Sequence, residues 1–167
     1  EELAAVRQRV AGAFDAEPMG LKDASPLGAA REIEQRLAAD RRAPGLLAVV
    51  GWERGRVHLL TPRDARLGAA GGSPLERCDM WLLHDRVIRP ALGPGLEASC
   101  IRFVPDTVEA VQQAMEGSVQ LAFIVRALPM DLFQEVVERG ERLPPKSTCF
   151  YPKLLNGLAV RSLDGRT

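Results

Sequence analysis

The run Lys146-Ser147-Thr148, with Tyr151 and Lys153 just beyond it, is a set of groups in this chain able to hold an anion. A turn of this composition supplies one cation, two hydroxyls and backbone amides, a chemistry suited to phosphate or carboxylate. In a strand that follows, alternate residues share a face. Cys149, Tyr151 and Lys153 then point one way and Thr148 and Phe150 the other, which lets Tyr151 and Lys153 act together. The same residues equally describe a solvated turn leading into an edge strand that Pro152 and a lysine protect from further pairing. His84, beside Asp85, is the candidate catalytic base. It has no second histidine three or four residues away, and His58 lies in a strand pattern. No metal site is therefore expected, and a structural hydrogen bond is the plainer role for His84. The pairs Glu32/Glu34 and Glu135/Glu138 fall on amphipathic helices whose polar faces need charge.

Other constellations are excluded by what they lack. Gly68, Gly71 and Gly72 enrich residues 62–74 in glycine, but no Lys-Ser/Thr pair follows them and no strand-to-helix fingerprint surrounds them. The segment reads as a surface loop and not as a phosphate cradle. No nucleophile elbow or triad signature is present.

The elements that must position these groups form an α+β pattern. Leu3, Val6, Val10 and Phe14 make a first helical stripe, which Pro18 and Gly20 should end. Ser25-Pro26 starts a second helix carrying Ile33 and Leu37, stopped by residues 41–44. Residues 46–52 and 57–61 read as a hairpin. Asp79 is placed to cap a third helix with Met80, Leu83 and Val87 on one face, ending by Pro90 and Gly93. A compact unit follows: strand 100–104, helix 107–116 with a capping box at Asp106, strand 119–125 and helix 129–139, with Gly117 and Gly140 as helix ends. Such a crossover predicts parallel neighbours with right-handed connection. Asn156-Gly157 predicts a second hairpin. The expected fold is a mixed sheet with two hairpins, one crossover and about five helices.

At 167 residues the chain fits one domain, a helical segment 1–43 and a mixed α/β body 44–167, with no internal repeat. Its 22 basic and 22 acidic residues cancel, which removes the electrostatic footprint of non-specific nucleic-acid binding. Cys78, Cys100 and Cys149 are far apart and odd in number, so they read as thiols of a reducing compartment, and cytoplasm is the expected address. No apolar run suits a membrane span or a secretory signal. The opening Glu1-Glu2, without an initiator methionine and directly on a helical pattern, leads us to expect the C-terminal part of a longer protein.

Residues 143–154, LPPKSTCFYPKL, resemble the closing motif of a bacterial and archaeal group, domain-of-unknown-function family ten-fifteen. Residues 79–88, DMWLLHDRVI, are similar to that family's Asp-x-x-x-Leu-His-Glu helix, and residues 119–136 to its apolar strand and proline-started helix. The resemblance runs from about Gly45 onward. The family's N-terminal half carries an Asp-Gly-His-His-Arg motif similar to that of free-serine kinases of the ParB/sulfiredoxin-like group, and this motif is absent here. The resemblance implies that nucleotide binding, with ATP or ADP, and phosphoryl transfer belong mainly to that other half. This chain would hold no cofactor itself and would be inactive alone. It would be an accessory domain contributing Lys146, Ser147, Thr148, Tyr151 and Lys153 to a small phosphate ligand or to docking. The alternative is a non-catalytic interaction or dimerisation domain. A free-standing enzyme would need His84 beside Lys146 or Tyr151 in one cleft. Three departures bear on the transfer: Cys149 for an aromatic, Asp85 for Glu, and Arg126-Ala127 for Asn-Pro, which puts a cation where the family has an amide.

Overall fold

Leu47 and Val49 face one apolar cluster and Ala48 and Val50 another, and all four are buried, so strand β2 (Leu47–Val50) has protein on both faces. This explains its unbroken apolar run, which an antiparallel strand with one wet face would not show. The computed structural model describes residues 1–39, 45–53, 55–64 and 72–148. In it β2 pairs antiparallel with β3 (Val57–Pro62), the hairpin read from sequence, and with β4 (Ala122–Ile124) on its other side. Strand β1 (Phe14–Met19) adds to the far edge of β3, giving the order β1-β3-β2-β4.

Helices cover both faces. Helix α2 (Pro26–Ala39) and helix α5 (Thr107–Glu116) bury Ala29, Ile33, Leu37, Val111 and Ala114 against one face. On the other face lie helix α1 (Glu2–Ala13) and a continuous helical run made of α3 (Asp79–Leu83), a π-turn (His84–Ile88) and α4 (Arg89–Cys100), which bury Val6, Val10, Leu83, Val87 and Leu92. A short 3-10 turn (Pro74–Arg77) precedes α3, and α6 (Met130–Glu138) packs near it. Counting the run 79–100 as one, the described residues hold five helices, and the fold is α+β.

Local signals placed several elements correctly. Ser25 Oγ accepts the Gly28 amide at the start of α2, 3.1 Å away. Asp106 Oδ1 accepts the amides of Val108 and Glu109 at 2.7 and 3.1 Å, and Gly117 closes α5 in the left-handed region. The capping box lacks its reciprocal half, because Glu109 bonds Gln113 and Arg102 instead.

Three expectations are corrected. Helix α1 ends at Ala13 and does not run on to Pro18, because Phe14 opens β1, whose six residues all find register partners in β3. Residues 101–104 are not a strand. They carry the chain from the α4 layer to the α5 layer on the opposite face, and Ile101 packs against the α1 side as they cross. The right-handed crossover therefore does not form, and the sheet is antiparallel throughout the described residues, not mixed. Finally, Cys78 and not Asp79 stands at the N-cap of α3, and Gly93, at φ 69°, breaks the helical run without ending it. The predicted hairpin at Asn156-Gly157 lies outside the described residues.

Candidate ligand-binding site

Beyond α6 the chain turns at Gly140 and reaches the first half of the closing segment. Pro144 O accepts the Ser147 amide at 3.3 Å and the Ser147 hydroxyl at 2.7 Å, closing a four-residue turn. Pro145 occupies the second position and Lys146, at φ 62°, the third, the pattern of a type II turn in which the third residue must be left-handed. Among the described residues Lys146 is the one non-glycine with positive φ. A side chain there costs about 1–2 kcal/mol of backbone energy, so this lysine is held in place at the expense of local comfort. Lys146 and Thr148 are exposed, while Ser147 is half-buried and its hydroxyl proton is committed to its own turn. Two contacts anchor the approach to this turn: Glu141 accepts the Ser73 hydroxyl, and Glu135 pairs with Arg77. Tyr151 and Lys153, with Cys149, lie outside the described residues.

His84 sits at the first position of the π-turn, a helical irregularity in which Arg89 N donates to His84 O. Its Nε2 lies 2.6 Å from Glu97 Oε1, and the two side chains are 13% and 23% exposed. The pair straps the first limb of the run 79–100 to the second across the break at Gly93. A histidine with a carboxylate partner is also the arrangement that fixes a tautomer for proton transfer. Among the described hydrogen bonds none joins His84 to Lys146, Ser147 or Thr148. His58 is buried on β3 with Nδ1 unpartnered, and Glu53 approaches its Nε2 at 3.7 Å.

The residue that sequence reasoning misplaced most is Asp79. Its carboxylate accepts Arg126 Nε at 2.5 Å, Arg126 Nη2 at 2.7 Å and the Gly45 amide at 2.7 Å. Arg126, read from sequence as an altered part of a site, is thus a half-buried structural cation with bidentate compensation, 14% exposed against 6% for Asp79. It ties the connection after β4 to the start of α3 and to the approach to β2. Gly45 must be glycine there, since at φ 76° a Cβ would fall 2.5 Å from Pro62 Cγ and 2.8 Å from Leu82 Cδ1. Glu32, read as solvated, accepts the Lys22 and Asp23 amides at 2.9 to 3.1 Å and so holds the loop before α2.

Burial pushes the Cys78 thiol pKa above its usual range, and neighbouring amides of α3 offset that only in part. Among the described residues no three His, Cys, Asp or Glu side chains converge as metal ligands, and no helix is long and apolar enough to cross a membrane. No family model, curated protein or solved structure matches this chain. The functional reading rests on the chain's own residues.

Proposed function

We propose that this chain is an accessory domain of a small-molecule kinase of free-serine type, and that its closing segment supplies contacts to a phosphate-bearing ligand or docks on the catalytic half. The supporting observation is the turn at residues 144–147, which holds an exposed cation, Lys146, in a left-handed backbone conformation beside the exposed hydroxyl of Thr148. Strain of this kind persists where surrounding structure over-determines it, and it concentrates at ligand sites. Catalysis in this reading belongs to the partner half, where ATP or ADP would bind. His84 keeps its helix in shape through Glu97. Thermal-shift titrations with ATP, ADP, L-serine, O-phosphoserine and inorganic phosphate test the proposal, because a ligand that binds the folded state alone raises its melting temperature. At least one phosphate-bearing compound should raise the melting temperature of the wild type by more than it raises that of Lys146→Ala. An equal shift in both proteins would remove the closing segment from the site.

A second reading, a non-catalytic interaction or dimerisation domain, is favoured by α6. Met130 and Val137, seven residues apart on that helix, are 60% and 57% exposed although Leu132 and Val136 beside them are buried. Light scattering across a concentration series separates the two readings. Self-association lost in Met130→Glu/Val137→Glu, with no ligand shift in any titration, would favour this second one.

A further inference from the structure

The end of α1, the start of β1, the end of β3 and the π-turn border an open cleft of about 620 Å³. That volume lies within the range of small-molecule sites. Among the described lining residues three are arginines, Arg9, Arg63 and Arg86, and Asp64 is the one carboxylate. The described lining side chains carry three positive charges against one negative, and Asp15 at 2.9 Å from Arg63 and Asp85 at 3.7 Å from Arg86 offset part of that excess.

The cleft is also partly preorganised. Arg63 Nε donates to Phe14 O at 3.2 Å, and its Nη2 lies 2.9 Å from Asp15 Oδ1, which fixes the guanidinium plane before any ligand arrives. Arg86 stands on the π-turn with Asp85 at 3.7 Å and remains 45% exposed, so its fork is reachable from solvent. The π-turn adds one residue to the helical repeat, and so shifts which positions of that run lie beside α1.

Gly12 leaves the cleft wall open. It is the penultimate residue of α1, it lines the cleft, and a Cβ built on it would meet nothing within 4 Å. Packing does not require a glycine here, and glycine weakens a helix relative to alanine. What an alanine would change is the cleft, by placing a methyl on its wall where a ligand could otherwise approach the backbone.

We propose that this cleft binds a compact dianion of phosphate type, a phosphate monoester or a pyrophosphate group. Arg9, Arg63 and Arg86 hold the oxygens through charge-assisted hydrogen bonds. The Gln8 amide and Asp64 face the hydroxyl- or amine-bearing remainder of the ligand, since a carboxylate repels the anionic end and accepts from the other. Among the described lining residues none belongs to the closing segment, so the arginine assignment is tested without it.

Isothermal titration of the full chain with inorganic pyrophosphate and with inorganic phosphate, at ionic strength held constant with sodium chloride, tests the assignment. Saturable binding that depends on the cleft arginines is expected. Arg9→Gln and Arg86→Gln should each weaken it by about tenfold, the loss of one charge-assisted hydrogen bond. Gly12→Ala should weaken binding while raising the melting temperature, and Arg102→Gln, an exposed arginine that is not among the lining residues, should leave the affinity unchanged. The assignment is overturned by the absence of saturable binding at millimolar pyrophosphate or by unchanged affinity in the Arg9→Gln/Arg86→Gln double variant. It is also overturned if chloride competes as well as phosphate, or if Lys146→Ala abolishes binding that the arginine variants retain.

Discussion

Removing either partner of the Asp79–Arg126 pair should be the most damaging polar substitution among the described residues. Asp79→Ala takes the bidentate carboxylate from a guanidinium that is 14% exposed and also deprives the Gly45 amide of its acceptor at 2.7 Å. Arg126→Ala strands a carboxylate that is 6% exposed. An uncompensated buried charge costs about 3–5 kcal/mol. For a chain of this size, where 1 kcal/mol shifts the melting temperature by about 2–4 °C, that is a drop of roughly 6–20 °C. Replacing both partners with apolar side chains, Asp79→Leu with Arg126→Met, removes both charges and leaves the Gly45 amide without its acceptor. That double variant should lose only about 1–3 kcal/mol, the cost of an unsatisfied buried donor, and so be more stable than either single alanine variant. Urea denaturation with an unchanged m-value is the assay. Single losses below about 1 kcal/mol, or a double variant as destabilised as the sum of the singles, would show that the pair is not the buried bridge described.

Two further outcomes follow from the same reasoning. Lys146→Gly relieves about 1–2 kcal/mol of left-handed strain and forfeits about 0.5–1 kcal/mol to chain entropy. The melting temperature should therefore rise by up to about 6 °C, whereas Lys146→Ala keeps the strain, and a lower melting temperature for the glycine variant would refute the turn geometry. For Cys78, burial raises the folded-state thiol pKa, so the folded chain keeps a proton that the unfolded chain releases above about pH 8.5. Its stabilising contribution is complete below the ordinary thiol range and is lost as pH rises through it. The wild type should thus lose more stability between pH 7 and pH 10 than Cys78→Ala in parallel urea melts, and equal losses would contradict a buried thiol.

What could be read from the sequence was what local chemistry decides. Ser25 and Asp106 announce their helices because a capping oxygen needs only the next three amides, and the β2–β3 hairpin needs only its own alternation and a short turn. Strand β1 was hidden because Phe14 continues the helical spacing of Val6 and Val10, while its actual partner, Pro62, is remote in sequence. The segment 101–104 has a strand's composition, yet its task is to cross from one helical layer to the other, which no window of residues reveals. Asp79 sits where a cap belongs, and only the fold brings Arg126 and Gly45 to it. The arginine cleft draws on four elements whose spacing follows no motif. For the candidate site, the Lys-Ser-Thr turn was legible as an anion-holding composition, but the left-handed Lys146 and the inward commitment of the Ser147 hydroxyl were not.

The most direct test of the proposed function is a map of backbone amide shifts in an isotope-labelled sample titrated with O-phosphoserine and with ADP. The account predicts saturable shifts in residues 146–148, abolished by Lys146→Ala, with any response at Arg9 and Gly12 persisting in that variant. Shifts confined to other residues, or none at millimolar ligand, would contradict a phosphate-binding role for the closing segment.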